Sequence, residues 1–508
     1  FVAERATKLH LALEKYDLAL EAARYWIQNE QGREARVLFY LLLGENQQDQ
    51  ELADFLRVDI VSAAVGEEQE SVLVESAALL EELEDRQQAK AIFEKATQGL
   101  MQDSATLHMI KSNFALRVNY YDESWDEAFK ALDNDPSMLE AASRILYLAQ
   151  GARRAQGLNF VQGFLHKNPQ ASRDLYLAFI QELAKDGDYP QAIAELKLMQ
   201  KAVPEDFELM YFEALLHKDA KQYPQARQLL RQFIDIQQQR QATTQDQSTN
   251  SKELETMARL ALSSVYAAEK KYQSAIAQLD KISPQNTTLE VELEKARLFA
   301  RSGQITKALD KLSSTQTQDE EEKAMVYMVG GEILQSSGRT DQAIAYLDRA
   351  LKELPDNNSI KYSLAMYYEM RGQLDLTEKY LRQVIDVQPT DSHAYNALGY
   401  VFADNNYNLN EAQSLLERAL VLEPNSPYIL DSMGWLQFRL GNYSLALEYL
   451  ESAYELEAQV EIAAHLADLY VAMGRIERAK AVLQEALAQD SENKVLRETI
   501  KRLDLGIK

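Results

Sequence analysis

Cysteine is absent from this chain of 508 residues. Its absence excludes structural disulfides, thiol nucleophiles and cysteine-ligated zinc, although it leaves the redox compartment open. Proline and glycine are scarce, with 10 and 18 residues, which is typical of a chain that is nearly all helix. No run of about 18 uninterrupted apolar residues occurs, so no segment of this sequence is predicted to span a bilayer.

Basic side chains are in the minority. The 54 Lys and Arg residues against 79 Asp and Glu residues leave a net charge of −25. Such a surface repels phosphate backbones and anionic lipid headgroups, so nucleic acid is not an expected partner. A basic protein or peptide would be attracted to it, although acidic side chains also serve simply to keep a long chain soluble.

Sequence patterns of catalysis and metal binding are also lacking. The six histidines form no HExxH pair and have no partner at metal-ligand spacing. There is no GxSxG, GxxxxGK or GxGxxG motif. Asp391 and His393 could suggest acid–base chemistry, but they fall at the start of a predicted helix, where Asp acts as an N-terminal cap. We therefore predict no catalytic residue, no metal, no cofactor and no enzymatic activity.

The sequence does contain a motif that returns every 33 to 35 residues. A small residue and large apolar residues mark a first helix, a turn with Gly or Asn follows, and a second helix carries Ala, a large apolar residue and Ala. One copy consists of Gly331, Leu334, Gly338, Ala343, Leu347, Ala350 and Pro355. A fixed period of this length predicts an all-α fold, a right-handed α-solenoid or superhelix of tandem helix-turn-helix repeats.

The quality of the match to the motif divides the chain into five segments. Divergent helical repeats are predicted at 1–170, repeats at 171–236, a flexible Gln/Thr/Ser-rich loop at 237–252, regular repeats at 253–491 and a capping helix at 492–508. The loop is predicted because QQQRQATTQDQSTN at 237–250 has no apolar periodicity. The capping helix is predicted because one of its faces carries Val495, Leu496, Ile500 and Leu503.

The order of the motif resembles the tetratricopeptide repeat over most of the chain, most clearly at 324–491. Within that stretch, NALGY at 396–400, DSMGW at 431–435 and AAHL at 463–466 resemble the C-terminal part of a family of Gram-negative envelope tetratricopeptide proteins. Several members of this family are outer-membrane lipoproteins. The best-understood kind is an adaptor that binds a periplasmic carboxyl-terminal processing protease and helps it degrade peptidoglycan hydrolases.

This resemblance implies a non-catalytic adaptor at the periplasmic face of the outer membrane, with a processing protease and its client proteins as partners. Membrane attachment would be through an N-terminal lipid anchor preceding Phe1, because the given sequence has no cysteine to carry one. The residues themselves also leave a cytoplasmic location open. The alternative function is a structural scaffold or assembly factor for an envelope secretion or cell-wall complex.

The candidate binding residues are large side chains that the repeat core does not need. In a superhelix of this kind the first helices line the concave wall, and two positions one turn apart point into the groove. Large or polar side chains at these positions, together with Phe438, predict a protein-binding groove. Its residues are Met328, Tyr362, Met366, Asn396, Tyr400, Asp431, Trp435 and Phe438. The last two aromatic residues could alternatively fill a tight turn of the superhelix or pack elsewhere on the chain.

A second candidate surface lies near the N-terminus. Terminal repeats are atypical because one of their faces has no neighbour, and an exposed apolar end is an association site. The residues that predict this alternative protein-binding surface are Tyr25, Trp26, Phe39 and Tyr40.

Overall fold

The structure, a computed structural model, describes residues 2–29, 32–100, 104–168, 172–243, 249–489 and 493–506. Over these ranges it contains 29 α-helices and no strand, which confirms the predicted all-α class and the tandem arrangement of helices. The chain divides into two compact units, an N-terminal unit of Phe1–Phe233 and a C-terminal unit of Ile234–Lys508. No helix among the described residues combines the length and apolar character that a bilayer crossing requires.

The N-terminal unit is built of short consecutive helices, and a 3-10 turn at Gly151–Arg153 precedes the tenth. In chain order they are α1 (Val2–Ala12), α2 (Tyr16–Asn29), α3 (Arg33–Glu45), α4 (Asp49–Ser62), α5 (Glu67–Leu80), α6 (Arg86–Thr97), α7 (Ala105–Arg117), α8 (Tyr121–Asn134), α9 (Leu139–Leu148), α10 (Arg154–Lys167), α11 (Arg173–Lys185), α12 (Tyr189–Ala202), α13 (Glu208–Asp219) and the beginning of α14 (Tyr223–Thr243).

The C-terminal unit continues with regular helix pairs and ends in a single helix. Its helices are α15 (Thr249–Ala268), α16 (Tyr272–Leu279), α17 (Leu289–Arg301), α18 (Ile305–Ser313), α19 (Glu320–Ser336), α20 (Thr340–Glu353), α21 (Asn358–Met370), α22 (Leu374–Val387), α23 (Ser392–Asp404), α24 (Leu409–Leu422), α25 (Pro427–Arg439), α26 (Tyr443–Leu456), α27 (Val460–Ala472), α28 (Ile476–Gln489) and α29 (Lys494–Leu503).

The pair α25 and α26 shows why the repeat motif produces a close helix pair. On α26, Ala446, Leu450 and Ala453 are fully buried, as their i, i+4, i+7 spacing predicts. On α25, a Cβ atom added at Gly434 would lie 2.6 Å from Leu450 Cγ, so the absence of a side chain there permits the approach of α26. Between the helices, Gly441 adopts a φ of 82°, which ends α25 at little conformational cost.

Successive repeats of the C-terminal unit pack through their first helices. Contacts join α17 to α19, α19 to α21, α23 to α25, and α25 to α27. Each second helix also contacts the first helix of the next repeat, as α24 does with α25 and α26 with α27. This arrangement places equivalent positions of neighbouring first helices side by side, and the candidate site is formed there.

A single helix, α29, lies within the segment 492–508 that was predicted to cap the array, and it contacts both α27 and α28. Leu496 is fully buried, and Arg502 Nη2 donates to Asp468 Oδ2 of α27 over 2.7 Å. Val495 was expected on the same apolar face, but it is 39% exposed. Its position, one residue before Leu496, lies about 100° away around the helix and therefore outside the contact.

The predicted flexible loop at 237–252 is wrong for most of its length, because α14 continues to Thr243 and α15 begins at Thr249. The remaining residues, 244–248, lie outside the described ranges. Gln237 is fully buried, and Gln241 Nε2 donates to the carbonyl of Ser251 and to Glu255 Oε2, each over 3.1 Å. Glutamine is a good helix former and no Gly or Pro interrupts the segment, so polar composition alone was a poor sign of a loop.

Candidate functional site

The predicted groove residues lie on the first helices α19, α21, α23 and α25. Six of them are partly exposed, namely Met328, Tyr362, Met366, Asn396, Tyr400 and Phe438, and their role in binding stays a prediction. Asp431 and Trp435 are buried, with 7% and 8% of their surfaces exposed. The structure therefore corrects the expectation that these two side chains are open to a partner.

Trp435 is buried because two rings and a carboxylate enclose it. Its ring stacks on His465 of α27 at a centroid distance of 4.3 Å and on Phe438 at 5.0 Å. Its Nε1 donates to Asp404 Oδ1 of α23 over 3.1 Å. Of the two interpretations left open by the sequence, the geometry favours the one in which Trp435 fills the space between repeats, where it connects α23, α25 and α27.

His465 is held by an acidic partner from the preceding repeat. Asp431 Oδ1 lies 2.8 Å from His465 Nδ1. Burial by itself would lower the pKa of His465, but the charges of Asp431, Asp468 and Asp404 outweigh it, so the pKa is raised. Sequence analysis missed this residue, although the period pointed to it: Asn396, Asp431 and His465 follow one another at spacings of 35 and 34 residues.

Tyr400 is the partly exposed ring beside Trp435 and His465. Its ring centroid lies 6.1 Å from that of His465, and its hydroxyl makes no hydrogen bond to any described residue. Burial raises the pKa of this hydroxyl, and four carboxylates raise it further, those of Asp404, Asp431, Glu369 and Glu461. Tyr400 is therefore a half-buried polar aromatic side chain surrounded by negative charge from four first helices.

Carboxylates that form no ion pair with a basic side chain of the described ranges lie around Tyr400. Within the described ranges, Glu369, Asp404 and Glu461 form no ion pair with Lys or Arg, and burial followed by the charge of Asp404 raises the pKa of Glu369. Asn396 Oδ1, one helical turn before Tyr400, is buried without a hydrogen-bond partner. We call this group the Tyr400 site; it consists of Glu369, Asn396, Tyr400, Asp404, Asp431 and Glu461.

The N-terminal candidate surface differs from its prediction. Trp26, Phe39 and Tyr40 are 4%, 1% and 4% exposed, so they belong to the core and are not free to contact a partner. Tyr40 Oη donates to Asp59 Oδ2 over 2.8 Å, and burial together with this bond raises its pKa. Tyr25 is 66% exposed, and it is the one member of the predicted set that stands at the surface.

The described ranges contain no group of three His, Asp or Glu side chains placed to hold a metal ion. The carboxylates of the Tyr400 site come from different helices, and two of them already accept hydrogen bonds, from Trp435 and from His465. What the arrangement offers chemically is a negatively charged, acceptor-rich surface beside aromatic rings.

Comparison with known proteins agrees with the repeat architecture. Two tetratricopeptide-repeat family models match, one at residues 334–399 and 437–498 and the other at 177–242 and 293–357. A TPR repeat-containing protein of Pseudomonas aeruginosa is 30% identical over 229 residues, which are 45% of this chain and 39% of that protein. The human protein O-mannosyl-transferase TMTC1 is 23% identical over 190 residues, 36% of this chain and 21% of that enzyme.

Two solved structures are similar over part of the chain. A tetratricopeptide-repeat protein of Thermus thermophilus is 28% identical and covers 34% of this chain and 95% of its own, with a TM-score of 0.33. A tetratricopeptide-repeat protein of Parabacteroides merdae is 15% identical and covers 49% of this chain and 98% of its own, with a TM-score of 0.39.

The chain thus spans about two fifths of the Pseudomonas relative. The two matched models, the 33 to 35 residue period and the helix pairs agree with one another. The chain contains tetratricopeptide repeats at the matched residues, 177–242, 293–399 and 437–498.

Proposed function

We propose that this protein is a non-catalytic adaptor that binds other proteins through its C-terminal unit. The observation that carries the proposal is the Tyr400 site, where carboxylates of four consecutive first helices surround the partly exposed ring of Tyr400. Tetratricopeptide repeats generally serve in protein–protein interaction, and an array of them offers an extended surface for it.

The specific partner we propose is a periplasmic carboxyl-terminal processing protease, and the role is to promote degradation of client proteins such as peptidoglycan hydrolases. Support comes from the resemblance of the segments 396–400, 431–435 and 463–466 to envelope adaptors of this kind. These segments contribute Asn396, Tyr400 and Asp431 to the Tyr400 site, and Trp435 and His465 beneath it. The proposed location is the periplasmic face of the outer membrane, with a lipid anchor N-terminal to Phe1.

The test is reconstitution with purified components. A processing protease from the same envelope and a peptidoglycan hydrolase are incubated with and without the chain, and the initial rate of hydrolase cleavage is measured. The adaptor function predicts faster cleavage when the chain is present and no cleavage with a catalytically inactive protease. An unchanged rate, together with no detectable protease binding in calorimetry, would overturn the adaptor function.

Two matched variants separate the two candidate surfaces. Tyr400→Ala removes a ring from the Tyr400 site, whereas Tyr25→Ala removes an equivalent ring from the N-terminal surface. If cleavage is faster only with the Tyr25→Ala protein, the C-terminal unit carries the client or the protease. A stable envelope assembly that is lost when the chain is deleted, without accumulation of hydrolases, would instead support the scaffold function.

A further inference from the structure

Helices α14 and α15 are longer than their counterparts in the regular repeats. They have 21 and 20 residues, whereas α20 and α21, which follow each other in the same way, have 14 and 13. The additional turns lie at the end of α14 and at the beginning of α15, and side-chain hydrogen bonds join them. We call these turns the arm; it consists of residues 236–243 of α14 and 250–259 of α15.

The contact between the two halves of the arm is made largely of polar side chains. Gln237, Ser251 and Arg259 are buried, with 0%, 7% and 6% of their surfaces exposed. Ala258 is fully buried, but its side chain is small, and the larger Leu254 is partly exposed. Because the hydrophobic contribution grows with the apolar area that is buried, little of it holds the arm closed.

Gln237 makes the closed arm still less favourable. Its Nε2 and its Oε1 are both buried without a hydrogen-bond partner. A buried polar group without a partner has lost its hydration and gained nothing in exchange. Water can reach both atoms once the arm opens, so this side chain favours opening.

One carboxylate, that of Glu255, collects most of the hydrogen bonds that join the two halves. It accepts from Gln238 Nε2 over 2.9 Å and from Gln241 Nε2 over 3.1 Å, both on α14, and from Arg259 Nη2 over 2.6 Å on α15. Burial by itself would raise the pKa of Glu255, but these hydrogen bonds outweigh it, so the pKa is lowered. Loss of this carboxylate would leave the buried guanidinium of Arg259 without its counter-ion.

We propose that the arm is a conformational device that opens and closes as one unit while the neighbouring repeats stay folded, and that Glu255 is the residue that holds it closed. In the closed arm both halves are helical, so opening is a transient departure from a folded state and not a permanently flexible loop. A partner that binds one of the two states would shift the population toward that state. The proposal goes beyond the adaptor function and does not depend on it.

The experiment is native-state hydrogen exchange of the full chain, read by mass spectrometry and corrected for intrinsic rates. Glu255→Gln keeps the size of the side chain and removes its charge. The control is Glu253→Gln, which removes the same charge from an exposed position of the same helix. Gln241→Ala is a second, milder variant that removes the two hydrogen bonds donated by Gln241, and it serves where Glu255→Gln does not fold.

In the wild-type chain, amides of the arm should exchange at least about tenfold faster than those in the middle of α20, because they exchange through local opening and not through unfolding of the whole unit. Glu255→Gln should raise exchange in the arm by at least a further factor of about ten, and Gln241→Ala by about threefold. The amides of α20 should stay within about twofold of wild type in both variants, and so should every amide of the control.

Three results would overturn the proposal. Arm amides that are as protected as those of α20 in the wild-type chain would show that the arm does not open separately. Faster exchange throughout the C-terminal unit in Glu255→Gln would make Glu255 part of one cooperative core. Equal rates in the Glu255→Gln and Glu253→Gln proteins would assign the effect to net charge or show that Glu255 does not hold the arm.

Discussion

Gly434→Ala tests how the repeats are packed, because two effects of the added methyl group oppose each other. Alanine within a helix is more favourable than glycine by about 1 kcal/mol. Against this gain, the new Cβ would lie 2.6 Å from Leu450 Cγ, 2.9 Å from its Cδ2 and 3.2 Å from its backbone N. Carbon atoms in ordinary contact are about 3.5–4.0 Å apart, so Leu450 must move by about 1 Å.

The displacement is costly because Leu450 is fully buried and its backbone N is among the close atoms. A rotamer change of the leucine cannot relieve the contact with N, so α26 itself must shift away from α25. Overpacking of this kind costs about 1–3 kcal/mol, and the requirement for a backbone shift places Gly434→Ala in the upper part of that range. After the helix-propensity gain is subtracted, we expect a net destabilisation of about 1–2 kcal/mol.

The matched control is Gly163→Ala on α10. A Cβ at Gly163 meets no atom within 4 Å, so this substitution changes helix propensity without overpacking. We expect it to stabilise its region by about 0.5–1 kcal/mol. Because the chain has two units, native-state hydrogen exchange of the α25, α26 and α10 amides is the appropriate assay, with urea unfolding as a second measurement. Amides of α25 and α26 that are as protected in Gly434→Ala as in wild type would refute the packing argument.

Three further predictions concern the candidate surfaces. Trp435→Ala removes an enclosed indole, so the free energy of unfolding of the C-terminal unit should fall by about 3–5 kcal/mol in urea titrations; a loss below about 1 kcal/mol would contradict its core placement. Tyr25→Ala should change the free energy of unfolding of the N-terminal unit by less than about 0.5 kcal/mol, because the ring is 66% exposed, and a loss of more than about 1 kcal/mol would show an unrecognised contact. The raised pKa of His465 stabilises the folded state fully below the ordinary value of 6.5, and this contribution is lost as pH rises through the folded-state pKa. Stability should therefore decrease from about pH 6.5 upward, and His465→Gln should show a smaller decrease in the same titration, since Asp431, Asp468 and Asp404 then face a neutral side chain.

The period of the sequence alone determined the helix pairs and their buried stripes. Ala446, Leu450 and Ala453 recur at helical spacing, so they lie on one face whatever covers that face, and the structure buries all three. The motif places a glycine in the turn between its two helices, where a positive φ costs glycine little, and Gly441 at this position has a φ of 82°. These properties depend on local geometry and on contacts within one repeat, which the sequence of that repeat contains.

Contacts between repeats decided whether an individual large side chain is buried or exposed. Trp26 and Phe39 were predicted to belong to a binding surface, but they are core residues. Gln237 was predicted to lie in a loop, but it is buried in a helix. Periodicity states which face of a helix a residue occupies, but it does not state which residue of the next helix covers it.

Trp435 shows the difference most directly. Its position on α25 was predictable from the repeat, and its burial depends on a ring from α27 and a carboxylate from α23, each about 30 residues away in sequence. The carboxylates that surround Tyr400 could be recognised only after these helices were packed together. The sequence thus determined the array of helix pairs, and the packing of one repeat on the next decided which side chains remain available to a partner, because burial is a property of neighbours in space.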